Sequence, residues 1–234
     1  MNVVYIISGV SKGLGYALAN SILLEDLSQS IVIGLSRSPC NLTERFPENF
    51  VWIKTDFSKT EETLILLDNT LSKYNSNKIC FISNAGEINP ISKVGKHIFL
   101  DLHNSVCINI LSPVLIINYL ISNYSIIERL ILVNITSGAA NKAIQGWSLY
   151  SSAKSYMKMY FNVLATELDE NTQSNILLKQ IDPGAMDTDM QKVIRQTSIS
   201  SEQADKLKSL FENGQLRLTS NVAIDILKQI NVLL

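Results

Sequence analysis

A tyrosine and a lysine four residues apart are the side chains of this sequence best suited to proton transfer. Tyr150 and Lys154 lie in a stretch, 149–168, whose apolar residues follow a helical period. Residues i and i+4 lie on the same face of a helix, so the two side chains would project together. An ammonium group near a phenol favours the phenolate and would lower the pKa of Tyr150 from about 10. Tyr150 is therefore predicted to exchange a proton with a carbonyl oxygen near neutral pH.

The same spacing occurs a second time, so the surroundings of each pair decide between them. Tyr74 and Lys78 are also four residues apart, but a predicted helix ends there and a predicted strand begins, on the wrong edge of the sheet for a ligand. Tyr150 follows Ser137, which ends a predicted strand, and a glycine-rich loop lies upstream. We therefore assign the chemistry to Tyr150 and Lys154.

A glycine-rich loop between the first predicted strand and the first predicted helix is suited to a dinucleotide. The chain has only ten glycines in 234 residues, yet Gly9, Gly13 and Gly15 stand here with the spacing G-x-x-x-G-x-G. Glycines let the backbone turn sharply and approach a pyrophosphate at a helix N-terminus. The alternative is a tight strand–helix turn without a ligand. The predicted cofactor-binding residues of the loop are Gly9, Ser11, Lys12, Gly13, Leu14 and Gly15.

The end of the second predicted strand indicates which nicotinamide cofactor is used. An acidic residue here would bind the ribose diol of NAD, but the chain reads Leu35-Ser36-Arg37, without a carboxylate. A guanidinium group and a hydroxyl suit a 2′-phosphate, and Lys12 adds a second positive charge. Alternatively, Arg37 and Lys12 are ordinary solvated side chains. The pattern favours NADP(H).

Two further strand ends bring polar or small residues to the same site. Asp56 follows the third predicted strand, where it could accept a hydrogen bond from the adenine amino group or cap the helix that begins near Lys59. Asn84, Ala85 and Gly86 follow the fourth predicted strand. Such a short turn lets the edge of the sheet lie against a flat ligand, although a simple turn is the alternative.

The elements that must position these residues alternate between strands and helices. This order predicts an α/β fold with a doubly wound, mostly parallel sheet of Rossmann type, about six strands, and helices on both faces. A length of 234 residues is typical of one domain, here 1–234. Ligands would bind in the loops after residues 8, 36, 55, 83, 136 and 182, beyond the carboxyl ends of the strands. The predicted strands are Val3–Ile7, Ile31–Leu35, Phe50–Lys54, Lys78–Ile82, Arg129–Ile135 and Asn175–Ile181, and the predicted helices are Leu14–Leu27, Glu61–Tyr74, Ile98–Tyr124, Leu149–Leu168, Met186–Asn213 and Thr219–Val232.

Composition and charge argue against several other classes of protein. A net charge of -1 does not fit a basic nucleic-acid surface. Two histidines and the cysteines Cys40, Cys80 and Cys107 lack the spacing of a zinc site, so no metal is expected, and scattered cysteines suit the reducing cytoplasm. The N-terminus lacks the basic region of a signal peptide, and no apolar run approaches the roughly 20 residues that span a bilayer. We therefore expect a cytoplasmic protein without a nucleic-acid or membrane partner.

Taken together, these motifs resemble the short-chain dehydrogenase/reductase family over nearly the whole chain. The resemblance implies that Tyr150 is the general acid of carbonyl reduction and that Lys154 lowers its pKa and holds the nicotinamide ribose. It also implies that Ser137 binds the substrate oxygen and that Asn109 stabilises a helix kink and a water of the proton relay. The features that carry the resemblance are the Ser8–Gly15 loop, Asn84-Ala85-Gly86, Asn109, Ser137, Tyr150 with Lys154, and Pro183-Gly184.

Within that family, the stretches Gly146–Tyr150 and Asp182–Gln191 are similar to the sepiapterin and benzil reductases. This similarity implies that Pro183 and Gly184 end the sixth strand beside the cofactor and that Thr188 contacts the nicotinamide carboxamide. Residues 186–213 would form a substrate lid. Trp147 and Met186 would line the substrate pocket together with Ser137, although Trp147 could equally be a packing aromatic at a helix start.

The chain departs from the family at its C-terminal end. The last predicted helix ends near Val232 and the sequence stops at Leu234, whereas most members continue into a seventh strand, so we expect that strand to be missing. In sepiapterin reductases this segment carries an acidic substrate anchor. A diaryl or dicarbonyl substrate is therefore at least as well favoured as a pterin.

The resemblance implies an NADPH-dependent reductase of a small ketone or dicarbonyl, assembled as a homodimer or homotetramer. Two alternatives stay open. One is a non-catalytic NADP-binding regulatory or interaction protein on the same fold, and the other is a 3-oxoacyl-carrier reductase.

Overall fold

The structure is a computed structural model that describes residues 3–25, 30–170, 175–199 and 201–231. Within these ranges, six parallel strands form one sheet in the order β3-β2-β1-β4-β5-β6. The predicted sheet is confirmed, and each strand agrees with its predicted bounds to within one residue. The strands are β1 Val3–Ser8, β2 Ser30–Ser36, β3 Phe50–Lys54, β4 Lys78–Ser83, β5 Arg129–Ile135 and β6 Ile176–Ile181.

Helices connect the strands and cover both faces of the sheet. The short helix α2 was not predicted, and the predicted helical stretch 186–213 divides into α7 and α8. Thr188 and Ser201 each precede one of these helices and accept a hydrogen bond from a backbone N–H of its first turn, which explains the two separate starts. The helices are α1 Gly13–Glu25, α2 Leu42–Arg45, α3 Thr60–Leu71, α4 Phe99–Val106, α5 Ser112–Tyr124, α6 Ser148–Glu170, α7 Asp189–Gln196, α8 Glu202–Glu212 and α9 Thr219–Asn231.

Alternate residues of each strand face opposite layers of helices. Tyr5 and Ile7 of β1 pack into an apolar cluster with residues of α1 and α9, whereas Val4 and Ile6 pack into a second cluster with residues of α3, α5 and α6. Every residue of β1 and β2 is buried. This explains why both strands are continuous apolar runs, as is typical of a parallel sheet covered on both faces.

The strand order reverses beside β1, because β2 and β3 lie on one side of it and β4 to β6 on the other. In doubly wound sheets, ligands bind in the crevice at this point, beyond the carboxyl ends of the strands. The strands end at or within one residue of the predicted positions. The loops predicted to bind ligands therefore meet at this edge.

Helix α4, a π-helical turn at Cys107–Leu111 and helix α5 form one continuous helical stretch. Among the described residues, Phe99–Tyr124 is the one stretch long and apolar enough to cross a membrane by length and composition alone, with a mean hydropathy of 1.8. However, Ile116, Ile117 and Leu120 are fully buried in the second apolar cluster, and the Ser112 hydroxyl donates to the carbonyl oxygen of Phe57 at 2.7 Å. We therefore interpret it as a core helix of the α/β sandwich.

Helix α9 packs against α1. The predicted helix ends at Leu27 and Val232, and the final residues 232–234, lie outside the described residues. The absence of a seventh strand and the extent of the single domain, 1–234, stay predictions.

Candidate active site

A cavity of about 900 Å³ opens at the carboxyl edge of the sheet, where the strand order reverses. This volume is within the range of small-molecule and cofactor sites. Most residues predicted to bind the cofactor line the cavity, except Gly15 and Gly184; of the predicted substrate pocket, Met186 lines it and Ser137 does not. The lining cofactor candidates are Gly9, Ser11, Lys12, Gly13, Leu14, Ser36, Arg37, Asp56, Asn84, Ala85, Gly86, Tyr150, Lys154, Pro183 and Thr188.

The backbone conformation and close packing of the glycine loop require glycine at several of its positions. Gly9 and Gly13 have φ values of 81° and 62°, in the left-handed region that favours glycine. A Cβ atom on Gly15 would collide with the carbonyl oxygen of Gly9. Helix α1 begins at Gly13, so its first N–H groups have no partner within the helix and can bind an anion. The loop therefore fits the pyrophosphate of a nicotinamide cofactor.

Ser8, the last residue of β1, holds the neighbouring strand end in place. Its Oγ accepts hydrogen bonds from the backbone N–H groups of Asn84 and Ala85, each at 2.9 Å. The Asn84 side chain donates from Nδ2 to the carbonyl oxygen of Ser8, also at 2.9 Å. The turn Asn84-Ala85-Gly86 is thus fixed against the glycine loop, on the cavity wall.

At the end of the cavity formed by β2 and β3, two predicted cofactor residues already have partners within the protein. The Ser36 hydroxyl donates to the carbonyl oxygen of Ser38 at 2.8 Å and accepts from Trp52 Nε1 at 3.1 Å. Asp56 Oδ1 accepts from both the N–H and the hydroxyl of Ser58, in the turn before α3, so it does not cap that helix. The Ser58 N–H lowers the pKa of Asp56, and the charge of Arg37 contributes to the same shift. Arg37 itself is exposed at the cavity.

Tyr150 lies on the cavity wall near the start of α6, and its hydroxyl is hydrogen-bonded to Ser137. Burial raises the pKa of Tyr150 to about 12, the Ser137 hydrogen bond opposes this increase, and the negative charge of Asp182 adds to it. The predicted lowering of this pKa by Lys154 is therefore wrong for the chain by itself. The cost of burying a phenolate is larger than any stabilisation that the chain provides.

Lys154 lies beside Tyr150, as the spacing predicted, but its ammonium group is directed at the sheet. Nζ donates to the carbonyl oxygen of Ile135 at 2.8 Å and lies 5.8 Å from the centroid of the Tyr150 ring. Burial lowers the pKa of Lys154 to about 8, against a smaller opposing effect of Asp182. Lys154 is therefore close to losing its charge in the range just above neutral pH.

Asn109 is buried in the π-helical turn Cys107–Leu111. Its Oδ1 accepts from the N–H of Glu87, and its Nδ2 donates to the carbonyl oxygen of Glu87, both at 2.9 Å. A π-turn inserts one residue into a helix and is frequent at functional sites. The helix irregularity implied by the family resemblance is present here, and Asn109 ties it to the loop after β4. Its contact with a water stays a prediction.

Trp147 packs against the predicted lid, residues 186–213, instead of lying on the cavity wall; the covering role of these residues stays a prediction. It is 5% exposed, and its ring meets that of Tyr150 edge to face with centroids 6.0 Å apart. It does not line the cavity, which favours the packing interpretation over the predicted place in the substrate pocket. We call its apolar surroundings the lid cluster, which contains Ile88, Ala139, Trp147, Tyr150, Ile194, Ala204 and Leu207.

The start of α7, in the predicted lid, contacts the glycine loop through charged side chains. Lys12 Nζ lies 2.8 Å from Asp189 Oδ2, and Lys192 Nζ lies 3.1 Å from Asp189 Oδ1. Thr188, which caps α7, comes within 3.8 Å of the position of a Cβ on Gly13. Lys12, predicted to bind a 2′-phosphate, is therefore paired with the lid.

Two acidic residues near the site were not predicted. Glu87 lines the cavity directly after Asn84-Ala85-Gly86, and Asp182 stands directly before Pro183-Gly184. Their places next to these motifs were the signals that could have identified them. Among the described residues, no group of three or more His, Cys, Asp or Glu side chains is placed to hold a metal ion.

Comparison with known proteins identifies the family. The sequence signature of the short chain dehydrogenases matches residues 3–199. The chain belongs to the short chain dehydrogenase family. Benzil reductase ((S)-benzoin forming) of Bacillus subtilis is 31% identical over 225 residues, which are 94% of this chain and 89% of that protein. Sepiapterin reductase of Xenopus laevis is 26% identical over 249 residues, covering 97% and 91% of the two chains.

Solved structures of this family have the same architecture. A short chain dehydrogenase/reductase of Saccharomyces cerevisiae, 26% identical, superposes with a TM-score of 0.83 over 94% of this chain and 86% of that one. The family consists of oxidoreductases that use nicotinamide cofactors and act on CH–OH or C=O groups. The resemblance that the motifs implied, and the doubly wound fold, are confirmed.

Proposed function

We propose that this short chain dehydrogenase is an NADPH-dependent carbonyl reductase that acts on a small ketone or dicarbonyl. The observation that carries the proposal is that Tyr150, whose hydroxyl interacts with the Ser137 side chain, lines the same cavity as the glycine loop and Lys154. The names of two relatives, benzil reductase and sepiapterin reductase, support the substrate class.

In this proposal, bound NADPH supplies the hydride, and the chain supplies the proton and the orientation. Tyr150 donates its hydroxyl proton to the substrate oxygen, and Ser137 holds that oxygen by a hydrogen bond. A pKa of about 12 keeps Tyr150 protonated at neutral pH. This state is the one that donates a proton, so it favours reduction over alcohol oxidation. Lys154 places a positive charge beneath the site and holds the nicotinamide ribose.

The preference for NADPH rests on Arg37. Its guanidinium group is exposed at the cavity directly after β2, where no carboxylate competes for the ribose. Ser36 has one hydroxyl proton, which it donates to Ser38, so it could contribute only as an acceptor or through its backbone. Lys12 would reach a 2′-phosphate after leaving Asp189.

The proposed substrate site lies between Tyr150 and the lid. Met186 lines the cavity, and Ile88, Met190 and Val193 give that wall an apolar surface. Such a surface suits an aryl or alkyl group beside the reacting carbonyl.

We also propose that the protein assembles as a homodimer or homotetramer in the cytoplasm. Phe99, Leu102 and Val106 of α4 and Met159 and Val163 of the adjacent α6 are large apolar side chains between 43% and 79% exposed. A contiguous exposed apolar surface is typical of a protein–protein contact. Free cysteines at Cys40, Cys80 and Cys107 are compatible with a reducing compartment.

NADPH oxidation with benzil, sepiapterin and simple diketones, measured side by side, tests the proposed function. Turnover of at least one dicarbonyl is expected, with NADPH preferred over NADH. Tight NADPH binding without turnover across the whole panel would contradict the proposal and favour a non-catalytic NADP-binding protein.

A further inference from the structure

Asp182 lies at the carboxyl edge of the sheet, beside the turn that contains Ser137. It follows β6 directly, and β6 is paired with β5 so that Ile181 lies opposite Ile135. The backbone N–H of Thr136 donates to the carbonyl oxygen of Ile181 at 2.9 Å, which holds the two strand ends together. Residues 136–138 and residue 182 are therefore neighbours at the carboxyl edge of the sheet.

The Asp182 carboxylate is held in a defined orientation at this edge. Its Oδ1 accepts a hydrogen bond from the N–H of Gly184 at 3.0 Å, within the turn that follows β6. Its Oδ2 lies 3.6 Å from the position of a Cβ on Gly138, the residue directly after Ser137. The anchored carboxylate thus presents its second oxygen to the turn that carries the predicted substrate-binding hydroxyl.

The Asp182 carboxylate forms no salt bridge with a described residue of the chain. The side chain is exposed. Its negative charge nevertheless reaches the reacting groups, because it raises the pKa of both Tyr150 and Lys154. A substrate carbonyl held by Ser137 and Tyr150 would feel the same charge.

We propose that Asp182 is a specificity-determining residue that discriminates substrates by charge. Its carboxylate disfavours carbonyl compounds with an anionic group next to the reacting carbon, such as 2-oxo acids. It favours compounds with an ammonium group at that place, because a fixed carboxylate beside the cavity attracts a positive charge. This inference rests on the proposed function of the site.

Three aryl ketones that differ in charge test the inference at low ionic strength, where an exposed charge is least screened. The probes are phenylglyoxylate as the anion, 1-phenyl-1,2-propanedione as the neutral compound and phenacyltrimethylammonium as the cation. Both kcat/KM with NADPH and Kd for the NADP⁺-loaded protein, by calorimetry, are measured for wild type and Asp182→Asn. The amide oxygen of the variant keeps an acceptor for the Gly184 N–H.

Wild type is expected to bind and reduce the cation better than the anion, by about tenfold or more. Asp182→Asn should improve binding and kcat/KM for the anion and weaken them for the cation, each by about tenfold, with the neutral ketone within about twofold. Asp182→Glu, which keeps the charge, should retain the wild-type order. Glu62→Gln removes an equal charge from an exposed position in the first turn of α3 and should change nothing.

Equal changes for all three ketones in Asp182→Asn, or a wild type that does not distinguish them, would overturn the assignment of Asp182. If the ketones are reduced but their kcat/KM values do not follow their charge, the proposed function stands and the inference about Asp182 fails. Binding in the expected charge order without reduction of any ketone would support the role of Asp182 and contradict the reductase function instead.

Discussion

The sheet edge and the lid form opposite walls of one cavity, and they are held in different ways. On the sheet edge, Ser8, Asn109 and Lys154 are buried and make hydrogen bonds of 2.8–2.9 Å to backbone groups of neighbouring elements. The lid contacts the glycine loop through Asp189 and Lys12, whose side chains are 50% and 71% exposed. Buried hydrogen bonds to backbone resist change, whereas exposed ion pairs are weak and screened by salt. From this contrast we expect the proposed proton chemistry at the rigid wall and opening of the cavity at the predicted lid.

Loss of the Tyr150 hydroxyl should produce the largest effect, because it removes the proton donor from the rigid wall. Tyr150→Phe is expected to lower kcat/KM for a dicarbonyl by about 10²–10⁴-fold, the usual contribution of a general acid. NADPH affinity, measured by fluorescence titration, should stay within about threefold if the cavity keeps its shape.

Tyr156→Phe is the matched control, since Tyr156 is on the same helix, half exposed and stacked on Tyr160. It should retain wild-type turnover. Undiminished turnover in Tyr150→Phe would remove the tyrosine from the mechanism.

Reversal of the charge at Arg37 should produce the next largest effect. It should change the preference for NADPH over NADH. Arg37→Asp places a carboxylate where a 2′-phosphate would lie and where a ribose diol would be accepted. We expect Kd for NADPH to rise by about 10–100-fold and Kd for NADH to change far less or to fall.

The control for Arg37 is Lys73→Asp, the same charge reversal at an exposed position after α3. Equal losses for NADPH and NADH in Arg37→Asp would contradict the assignment of NADP.

The two pKa shifts on the rigid wall predict how reduction depends on pH. Lys154, with a pKa of about 8, loses its charge first as the pH rises, while Tyr150, with a pKa of about 12, stays protonated. The value of kcat/KM for ketone reduction should therefore be constant near pH 7 and fall up to about tenfold per pH unit above pH 8.

Asp182→Asn should move this fall to lower pH, because Asp182 raises the pKa of Lys154. Profiles of kcat/KM from acid to alkaline pH for wild type and variant measure both effects. A rate that does not change through the alkaline range would show that the charge of Lys154 is not required.

The smallest effect is expected on the lid. Asp189→Asn breaks its ion pairs with Lys12 and Lys192. Release of Lys12 should leave Kd for NADPH unchanged or lower it by up to about threefold at low salt, and the difference should vanish at high salt. Fluorescence titrations at two salt concentrations measure this. A large loss of turnover would mean that the lid contributes more rigidity than its exposed contacts indicate.

Features that depend on neighbouring residues in the chain were predicted well. The strand ends, the sharp backbone turn at Gly9 and Gly13, and the i,i+4 pair Tyr150 and Lys154 follow from local backbone preferences and helical geometry. The second Tyr–Lys pair, Tyr74 and Lys78, was also correctly set aside, because Lys78 lies at the amino end of β4, away from the cavity.

Contacts between distant segments were not predicted from the residue pattern, although the family resemblance implied a helix irregularity at Asn109 and packing was one interpretation of Trp147. The Ser8 bond to Asn84 spans 76 residues, and the pairing of Lys12 with Asp189 spans 177. The burial of Trp147 and the π-helical turn around Asn109 also require neighbours from other elements. The periodic pattern of apolar residues along the chain carries no information about such contacts.

By itself, the sequence determined the order of strands and helices, the loops that meet at one edge, and the residue types that reach it. Those properties come from local backbone preferences and from which side chains avoid water. Only the tertiary structure decided how reactive these residues are. Burial raises the pKa of Tyr150 where spacing had predicted the opposite, because desolvation depends on what surrounds a group and not on its neighbours in the chain.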